Sequence, residues 1–400
     1  MTESKKYNVC LFNSADPRGL KVGGIETYVR DYIYYHPEDM DLLFIGADEI
    51  GDLVQDQINE VEFRGRKVKF LPILYREDSR NIYGPVFKSE TFRFAHVLVK
   101  KFFLIRKILK AGGYTAEIRR VEYAPIIWLM GVRFIQMVHI MGEKNKPMSS
   151  KIAKYWYINY TMELISSALC EYFYSVNEFM TERYRKKFPF FAKKFKTMST
   201  WANPNIFTRN EYIFGEKINV IYAGRLDLFK RPDVMFKVIA AANRRRLGLV
   251  QFHYVGDGDP SEIPEFPEIS DITTTYGRKS SPEIAELMGQ MHIGILTSDF
   301  EGMPRVVMET LTAGRPVVAL HLPQIEPVMK DGVSGYLVER TEDQVEVMAQ
   351  RLIDTYEAMR AGKITPDGVA EMVKPFSPQI ILNRIFNDHR GFHGFPTLSV

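Results

Sequence analysis

Cysteine is nearly absent from this chain, with only Cys10 and Cys170 in 400 residues. Two thiols in apolar, strand-like runs give no disulfide framework and no metal-ligand spacing, and a reducing cytoplasmic setting is expected. Long apolar runs are missing too. The longest, Ile126 to Gly142, is interrupted by Arg133 and Gln136 and falls short of the roughly 20 apolar residues a membrane-spanning helix needs. The polar start MTESKKYNVC leads directly into a strand, so no secretory leader is expected. Low-complexity tracts, internal repeats and a Gly-x-Gly-x-x-Gly signature are also lacking. No nucleic-acid module is recognisable and the cations are spread over one half of the chain, so nucleic acid is not an expected partner.

What is present is an ordinary globular balance of 46% apolar and 26% charged residues, in a length that suits two or three domains. The charge is lopsided. Residues 1–200 hold 32 Lys and Arg against 23 Asp and Glu, a net +9, while the remainder holds 21 against 26, a net −5.

Apolar runs at Tyr7–Phe12, Leu42–Ile45, Val68–Ile73, Arg133–His139 and Cys170–Val176 alternate with helical patterns at Ile25–Tyr35, Glu90–Lys110, Lys151–Ile165 and Glu178–Lys187. The alternation predicts a doubly wound α/β domain over residues 1–200. A basic, turn-rich stretch from Lys186 to about Phe214 reads as the linker. A second such domain follows over 201–375, with strands at Ile218–Ala223, Gln251–Val255, Ile293–Thr297, Val317–Leu320 and Tyr336–Val338. A long helix runs from about Thr341 to Ala361. Residues 376–400 form a C-terminal helix and tail expected to pack back toward the first domain.

The most informative segment is Ser298 to Gly314, SDFEGMPRVVMETLTAG. Glu301 lies in a loop after a strand, Pro304 suits a first helical turn, and Gly314 with Pro316 ends the helix. Backbone amides around Met303, Arg305 and Val306 would face the strand end with the positive end of the helix dipole. Glu309 stands among Val306, Val307, Met308 and Leu311. It pairs either with a ribose diol or, on a solvated face, with Arg305 four residues earlier.

Other loops at strand ends carry related chemistry. Gly19–Glu26 is a glycine-bearing loop in which Gly24 could approach a phosphate, although on its own the motif reads more readily as a plain tight turn. Gly224-Arg225-Leu226-Asp227-Leu228-Phe229-Lys230-Arg231-Pro232 offers Arg225 and Lys230 to a diphosphate, against a reading as two surface cations. Gly256-Asp257-Gly258-Asp259-Pro260 is turn chemistry and no metal site, and Gly256 there allows close approach of a nucleotide. Tyr276-Gly277-Arg278 could border a base. His139 ends a strand, where a histidine is either structural or turned to a ligand.

Taken in order, the segments at 23–26, 137–144 (MVHIMGEK), 174–180 (YSVNEFM), 222–233 (YAGRLDLFKRPD), 254–259 (YVGDGD), 298–314 and 328–338 (VMKDGVSGYLV) resemble those of the retaining glycosyltransferases of the GT-B fold, family 4, the glycosyl transferases group 1. The resemblance covers nearly the whole chain. It implies two Rossmann-like domains facing each other across a cleft, and metal-independent transfer of a hexose-type sugar from a nucleoside-diphosphate-sugar with retention of configuration. By it, Arg225 and Lys230 hold the diphosphate, Glu309 the ribose and Glu301 a sugar hydroxyl. Gly24 approaches the phosphates from the first domain and His139 contacts the sugar. Many members carry glycine where this chain has Pro304, which has no amide proton to donate, so the donor sugar is left open.

The first domain would face the acceptor, a glycan or lipid-linked saccharide in polysaccharide or glycolipid assembly. Phe92, Phe94, Phe102 and Phe103 interleave with Arg93, Lys100, Lys101, Arg106, Lys107 and Lys110, and a second such stretch runs from Tyr184 to Lys196. These suggest peripheral docking on an anionic membrane surface from the cytoplasmic side, or simply helix faces that pack on the sheet. Two other functions stay open: a nucleotide-sugar epimerase of the same fold, and a nucleotide-binding scaffold without turnover.

Overall fold

Short aliphatic runs buried on both faces form the strands of two sheets, as in doubly wound α/β proteins. The computed structural model describes residues 6–19, 24–76, 90–139, 156–246 and 248–399. The chain divides into two compact units, Met1–Ser199 with Gln379–Val400, and Thr200–Pro378.

The first sheet contains β1 (Tyr7–Phe12), β2 (Met40–Asp48), β3 (Asn59–Phe63), β4 (Arg66–Tyr75), β5 (Thr115–Ile118), β6 (Phe134–Val138), β7 (Tyr172–Ser175) and β8 (Phe195–Thr197). Its order is β3-β4-β2-β1-β5-β6-β7-β8. Only β3 and β4 are antiparallel, joined by a two-residue turn in which Arg64 and Gly65 take φ of 50° and 77°. The helices are α1 (Gly24–Tyr35), α2 (Glu90–Lys100), α3 (Phe102–Ala111), α4 (Ala124–Leu129), α5 (Trp156–Leu169) and α6 (Glu178–Lys187).

Several sequence expectations need correction here. One helix was expected over Glu90–Lys110, but Lys101 leaves the helical region at ψ 18° and reaches Asp56 instead, which splits it into α2 and α3. Cys170 is not in a strand; it closes the turn after α5, its amide bonding to the Ser166 carbonyl at 2.9 Å. The strand expected over Arg133–His139 is β6, so His139 lies just beyond its end. The helix expected over Lys151–Ile165 runs on to Leu169 in α5, and residues 151–155 lie outside the described residues. The aromatics sort sharply: Phe94, Tyr184, Phe188 and Phe195 are core, whereas Phe103 is 82% exposed and Phe190 is 96% exposed.

The second sheet contains β9 (Ile218–Ala223), β10 (Val250–Val255), β11 (Thr273–Thr275), β12 (Ile293–Leu296), β13 (Val317–Leu320) and β14 (Gly335–Val338), all parallel, in the order β11-β10-β9-β12-β13-β14. Between them run α7 (Pro232–Arg245), α8 (Ser281–Gln290) and α9 (Arg305–Thr312), followed by α10 (Gln344–Arg360) and α11 (Pro366–Glu371). α8 is started by a capping box in which the Ser280 amide donates to Glu283 at 2.8 Å. α9 buries Val307, Met308, Thr310 and Leu311 and stops at Gly314, whose φ of 76° suits a helix C-terminus. The strand order reverses between β9 and β12. In an open parallel sheet the crevice beyond the carboxyl ends at such a reversal is where ligands bind.

The last helix, α12 (Pro378–His393), belongs to the first unit. Ile381, Leu382, Ile385 and Phe386 form its buried stripe, and the Phe386 ring meets Tyr32 edge-on at 4.9 Å. Asp388 accepts from Tyr174 at 2.6 Å and pairs with Lys196 at 2.7 Å, while Arg390 pairs with Asp39 at 2.7 Å.

Two buried histidines give the second unit a pH dependence. Burial pushes His253 of β10 down to about 4 from its ordinary 6.5, and it lowers His292, before β12, as well. Both are neutral in the fold, so as pH falls below 6.5 the unfolded chain takes up protons that the fold does not. Stability therefore declines below pH 6.5, for His253 down to about 4 and by at most about 1.4 kcal/mol per pH unit, with His292 acting in the same direction. Urea unfolding at pH 7, 6 and 5 is expected to show the midpoint falling, and His253→Gln is expected to flatten the slope.

Candidate functional site

The site is built from the loops that leave β9, β10, β12 and β14. After β9 the chain passes Gly224, Arg225 and Asp227, then makes a 3₁₀ turn over Leu228–Lys230. Arg231 follows at φ 52° and ψ 56°, a left-handed conformation that costs a β-carbon-bearing residue about 1–2 kcal/mol. Its guanidinium holds Asp233 through two contacts of 2.9 Å, and that pairing keeps the Asp233 carboxyl below its ordinary range. Pro232 then opens α7.

After β12 the chain runs Thr297, Ser298, Asp299, Phe300, Glu301. The Thr297 hydroxyl donates to the carbonyls of Lys230 and Arg231 at 2.9 and 3.0 Å, and the Asp299 amide donates to the Phe229 carbonyl at 2.8 Å. The two loops are thus laced together. The result brings the Lys230 ammonium directly onto Glu301 Oε1, which also accepts from the Ser298 hydroxyl at 3.0 Å. Both side chains are largely shielded, at 17% and 12% exposure, so the pair works at a lower dielectric than a surface bridge.

Gly224 and Gly256 form the floor. The Gly224 amide bonds to Val255 at 2.8 Å, and a β-carbon on Gly256 would lie 2.0 Å from the Gly224 carbonyl oxygen. Two tyrosines stand beneath: Tyr222 donates to the Arg225 carbonyl at 3.0 Å, and Tyr254 accepts from the Gly258 amide at 2.9 Å. Burial pushes the Tyr222 phenol well up, and the nearby Glu301 carboxylate adds to it.

Pro304 is the N-cap of α9 and not, as expected, within its first turn. The Val307 amide returns to the Pro304 carbonyl at 3.1 Å, so helical geometry leaves the amides of Arg305 and Val306 without an intrahelical acceptor. Glu309 lies 3.4 Å from Arg305 Nε, the i,i+4 partner considered from the sequence, but at 13% exposure this is not a solvated face. Met303 is buried below the helix start. Arg225 points outward at 61% exposure and contacts Asp227 at 3.1 Å. Arg278 contacts Asp257 across 3.7 Å, half exposed.

In the first unit, Gly24 is the first residue of α1 and is exposed. One turn on, Tyr28 meets the His139 ring edge-on at 5.7 Å, while the Arg119 guanidinium covers Tyr28 at 4.6 Å. Arg119 in turn pairs at 2.6 Å with Glu117, both fully buried, at the end of β5. Gly23 and residues 140–144 of the 137–144 segment lie outside the described residues.

Sequence reasoning missed Thr297, Ser298, Asp299, Arg231 and Arg340. Adjacency to Glu301 and Lys230 was an available signal for the first four. Arg340 had none, because it comes from beyond β14 to donate to Asp299 Oδ1 at 2.9 Å and to the Ser298 carbonyl.

Residues 217–358 match the family model described as glycosyl transferases group 1. An uncharacterised 41.2 kDa protein in the cps region of Klebsiella pneumoniae is 28% identical over 140 residues, 34% of this chain and 38% of that protein. The O-antigen biosynthesis glycosyltransferase WbnH of Escherichia coli is 28% identical over 151 residues, 37% of this chain and 41% of its own. The chain thus matches about two fifths of the length of these relatives. In three dimensions, sucrose-phosphate synthase from Thermosynechococcus elongatus superposes with a TM-score of 0.73 at 14% identity, over 97% of this chain and all of that one. The fold is therefore the GT-B arrangement of two Rossmann-like parallel-sheet units. The chain resembles the glycosyl transferases of group 1, with the matching segment spanning the loops that hold Lys230, Glu301 and Glu309.

Proposed function

We propose that this protein is a retaining, metal-independent glycosyltransferase. It moves a hexose-type sugar from a nucleoside-diphosphate-sugar to a glycan or lipid-linked glycan in cell-surface polysaccharide or glycolipid assembly. The observation that carries the reading is the shielded Lys230–Glu301 pair at the strand-order reversal between β9 and β12.

The chemistry asks for positioning and charge stabilisation more than for a strong base. The bond from the anomeric carbon to the leaving phosphate oxygen breaks while the acceptor oxygen bonds to the same face. The acceptor's proton passes to the leaving phosphate. Lys230 and Arg225 neutralise the charge growing on the nucleoside diphosphate, with the amides of Arg305 and Val306 at the start of α9 beside them. Glu301 takes a hydroxyl of the sugar and Met303 offers its amide there. Glu309 takes the ribose diol, exchanging its weak contact with Arg305. Gly224 and Gly256 let the nucleotide lie close on the backbone, and Arg278 borders the base. Gly24 and His139 are candidates for phosphate and sugar contact by the resemblance alone.

The acceptor reading draws on the first half's excess of positive charge and on α3, where exposed Phe103 shares one helix face with Arg106, Lys107 and Lys110. That face suits peripheral attachment to the anionic inner surface of the cytoplasmic membrane. Among the described residues no helix is long and apolar enough to cross a membrane.

The test is nucleoside diphosphate release from a panel of uridine, guanosine and adenosine diphosphate sugars, with and without vesicles of crude membrane lipid. Release from one donor, increased by the lipid, is expected. A donor whose sugar is isomerised without an acceptor would establish the epimerase instead, and nucleotide binding without any turnover would establish the scaffold.

A further inference from the structure

Lys230 and Glu301 come from separate loops, one after β9 and one after β12. Besides the hydrogen bonds from the Thr297 hydroxyl and the Asp299 amide, an ionic strut joins them behind the pair. Arg340, two residues past β14, places Nη1 2.9 Å from Asp299 Oδ1 and donates from Nη2 to the Ser298 carbonyl. Arg231 approaches the same Asp299 oxygen at 3.5 Å while holding Asp233. Asp299 is two residues before Glu301, and Arg231 directly follows Lys230. The strut thus spans the loops after β9, β12 and β14.

We infer that Asp299, clasped between Arg340 and Arg231, positions Glu301 against Lys230, and that these three are positioning residues for the transfer proposed above. The inference rests on that reading for its catalytic consequence, though not for its geometry. The strut has little to do with global stability. Its members are 34–45% exposed, and ion pairs so exposed contribute little to folding. An arginine also occupies a left-handed position that glycine would fill without strain, so the side chain at 231 has a use that its backbone does not supply. A carboxylate gripped by a fork that also holds a neighbouring carbonyl is oriented as well as neutralised.

The experiment measures hydrogen exchange of the 228–231 and 297–303 segments, together with kcat and donor KM, in the whole chain and in Asp299→Ala, Arg340→Ala and Arg231→Gly. Exchange in both segments is expected to quicken about tenfold, with kcat down about 10- to 100-fold, the effect of a misplacement on the order of 1 Å. Donor KM should stay within about threefold. The double variant Asp299→Ala/Arg340→Ala should be no worse than either single one, because the two act as one unit. Arg231→Gly relieves the left-handed strain while losing the partly exposed pairing with Asp233, two small and opposing effects on the melting temperature, which separates positioning from folding. Arg340→Lys, which keeps the charge without the fork, should recover only part of the loss. Unchanged exchange in both segments, or additive losses in the double variant, would overturn the strut. If the wild type transfers from no donor, the functional reading fails and the exchange measurement still decides the strut.

Discussion

Replacing Lys230 by alanine is expected to lower kcat for transfer by about 1,000-fold, with a smaller rise in donor KM. Without donor, the ammonium is matched by Glu301 Oε1 inside a shielded contact. On the proposed function, that charge is shared with the entering diphosphate, and the share grows as the sugar–phosphate bond breaks. Only the growing part accelerates the reaction. Glu301→Gln should lose less, about 100-fold, because an amide can still hydrogen-bond a sugar hydroxyl and keep the Ser298 contact. The two losses should fall short of additive. Removing either partner leaves the other charge exposed to a different environment, so each single variant already carries part of the pair's cost. Lys230→Ala should also cost about 1–3 kcal/mol of stability by leaving Glu301 unpaired, readable as a fall in urea midpoint. Turnover within about threefold of wild type in a folded Lys230→Ala protein would remove Lys230 from the chemistry.

How much of this could be read from the chain depends on how local each feature is. The strands β1, β9 and β13 were legible to the residue because each is an apolar run broken by at most one polar residue, Asn8 in β1 and Asn219 in β9. β5 was not, since Thr115-Ala116-Glu117-Ile118 buries a glutamate whose charge is met by Arg119 two residues on. β11 is three threonines at a sheet edge and carries no apolar signal. The C-terminal helix was expected to pack toward the first domain, but the contacts that put α12 in the first unit, such as Arg390 with Asp39, lie hundreds of residues apart and carry no local signal. In the site, Glu301 and Lys230 stood out singly, but their contact is a product of strand order: β9 and β12 are neighbours only because the sheet reverses there. The same holds more strongly for Arg340, a solvent-facing arginine by any local criterion. Phe94 and Phe103 show the opposite limit, since two aromatics in one basic stretch differ entirely in burial according to which side of a helix they occupy.

Gly256→Ala is expected to be the most damaging single-carbon change in the second unit's site. A β-carbon there would lie 2.0 Å from the Gly224 carbonyl oxygen, 2.5 Å from the Tyr254 hydroxyl and 2.9 Å from its ring carbon. The nearest neighbour is backbone, so no rotamer change relieves the clash. One of the two floor loops must move. Moving the β9 loop strains the Gly224–Val255 hydrogen bond of 2.8 Å, and moving the β10 loop strains the 3.1 Å bond from the Gly256 amide to Gly277. Overpacking of this kind costs about 1–3 kcal/mol. For a unit of this size that lowers the melting temperature by roughly 2–4 °C per kcal/mol. The functional loss should be larger than the stability loss implies, because the β9 loop also carries Arg225 and Lys230, and a shift on the order of 1 Å can cost about 100-fold in rate. Gly65→Ala supplies the control. Its β-carbon meets nothing within 4 Å, and although its φ of 77° is strained for alanine, it lies in the β3–β4 turn of the other unit, so stability should fall modestly while nucleotide affinity is unchanged. If Gly256→Ala instead binds nucleotide and melts as the wild type does, the close apposition of Gly224 and Gly256 is not the floor of the proposed nucleotide site.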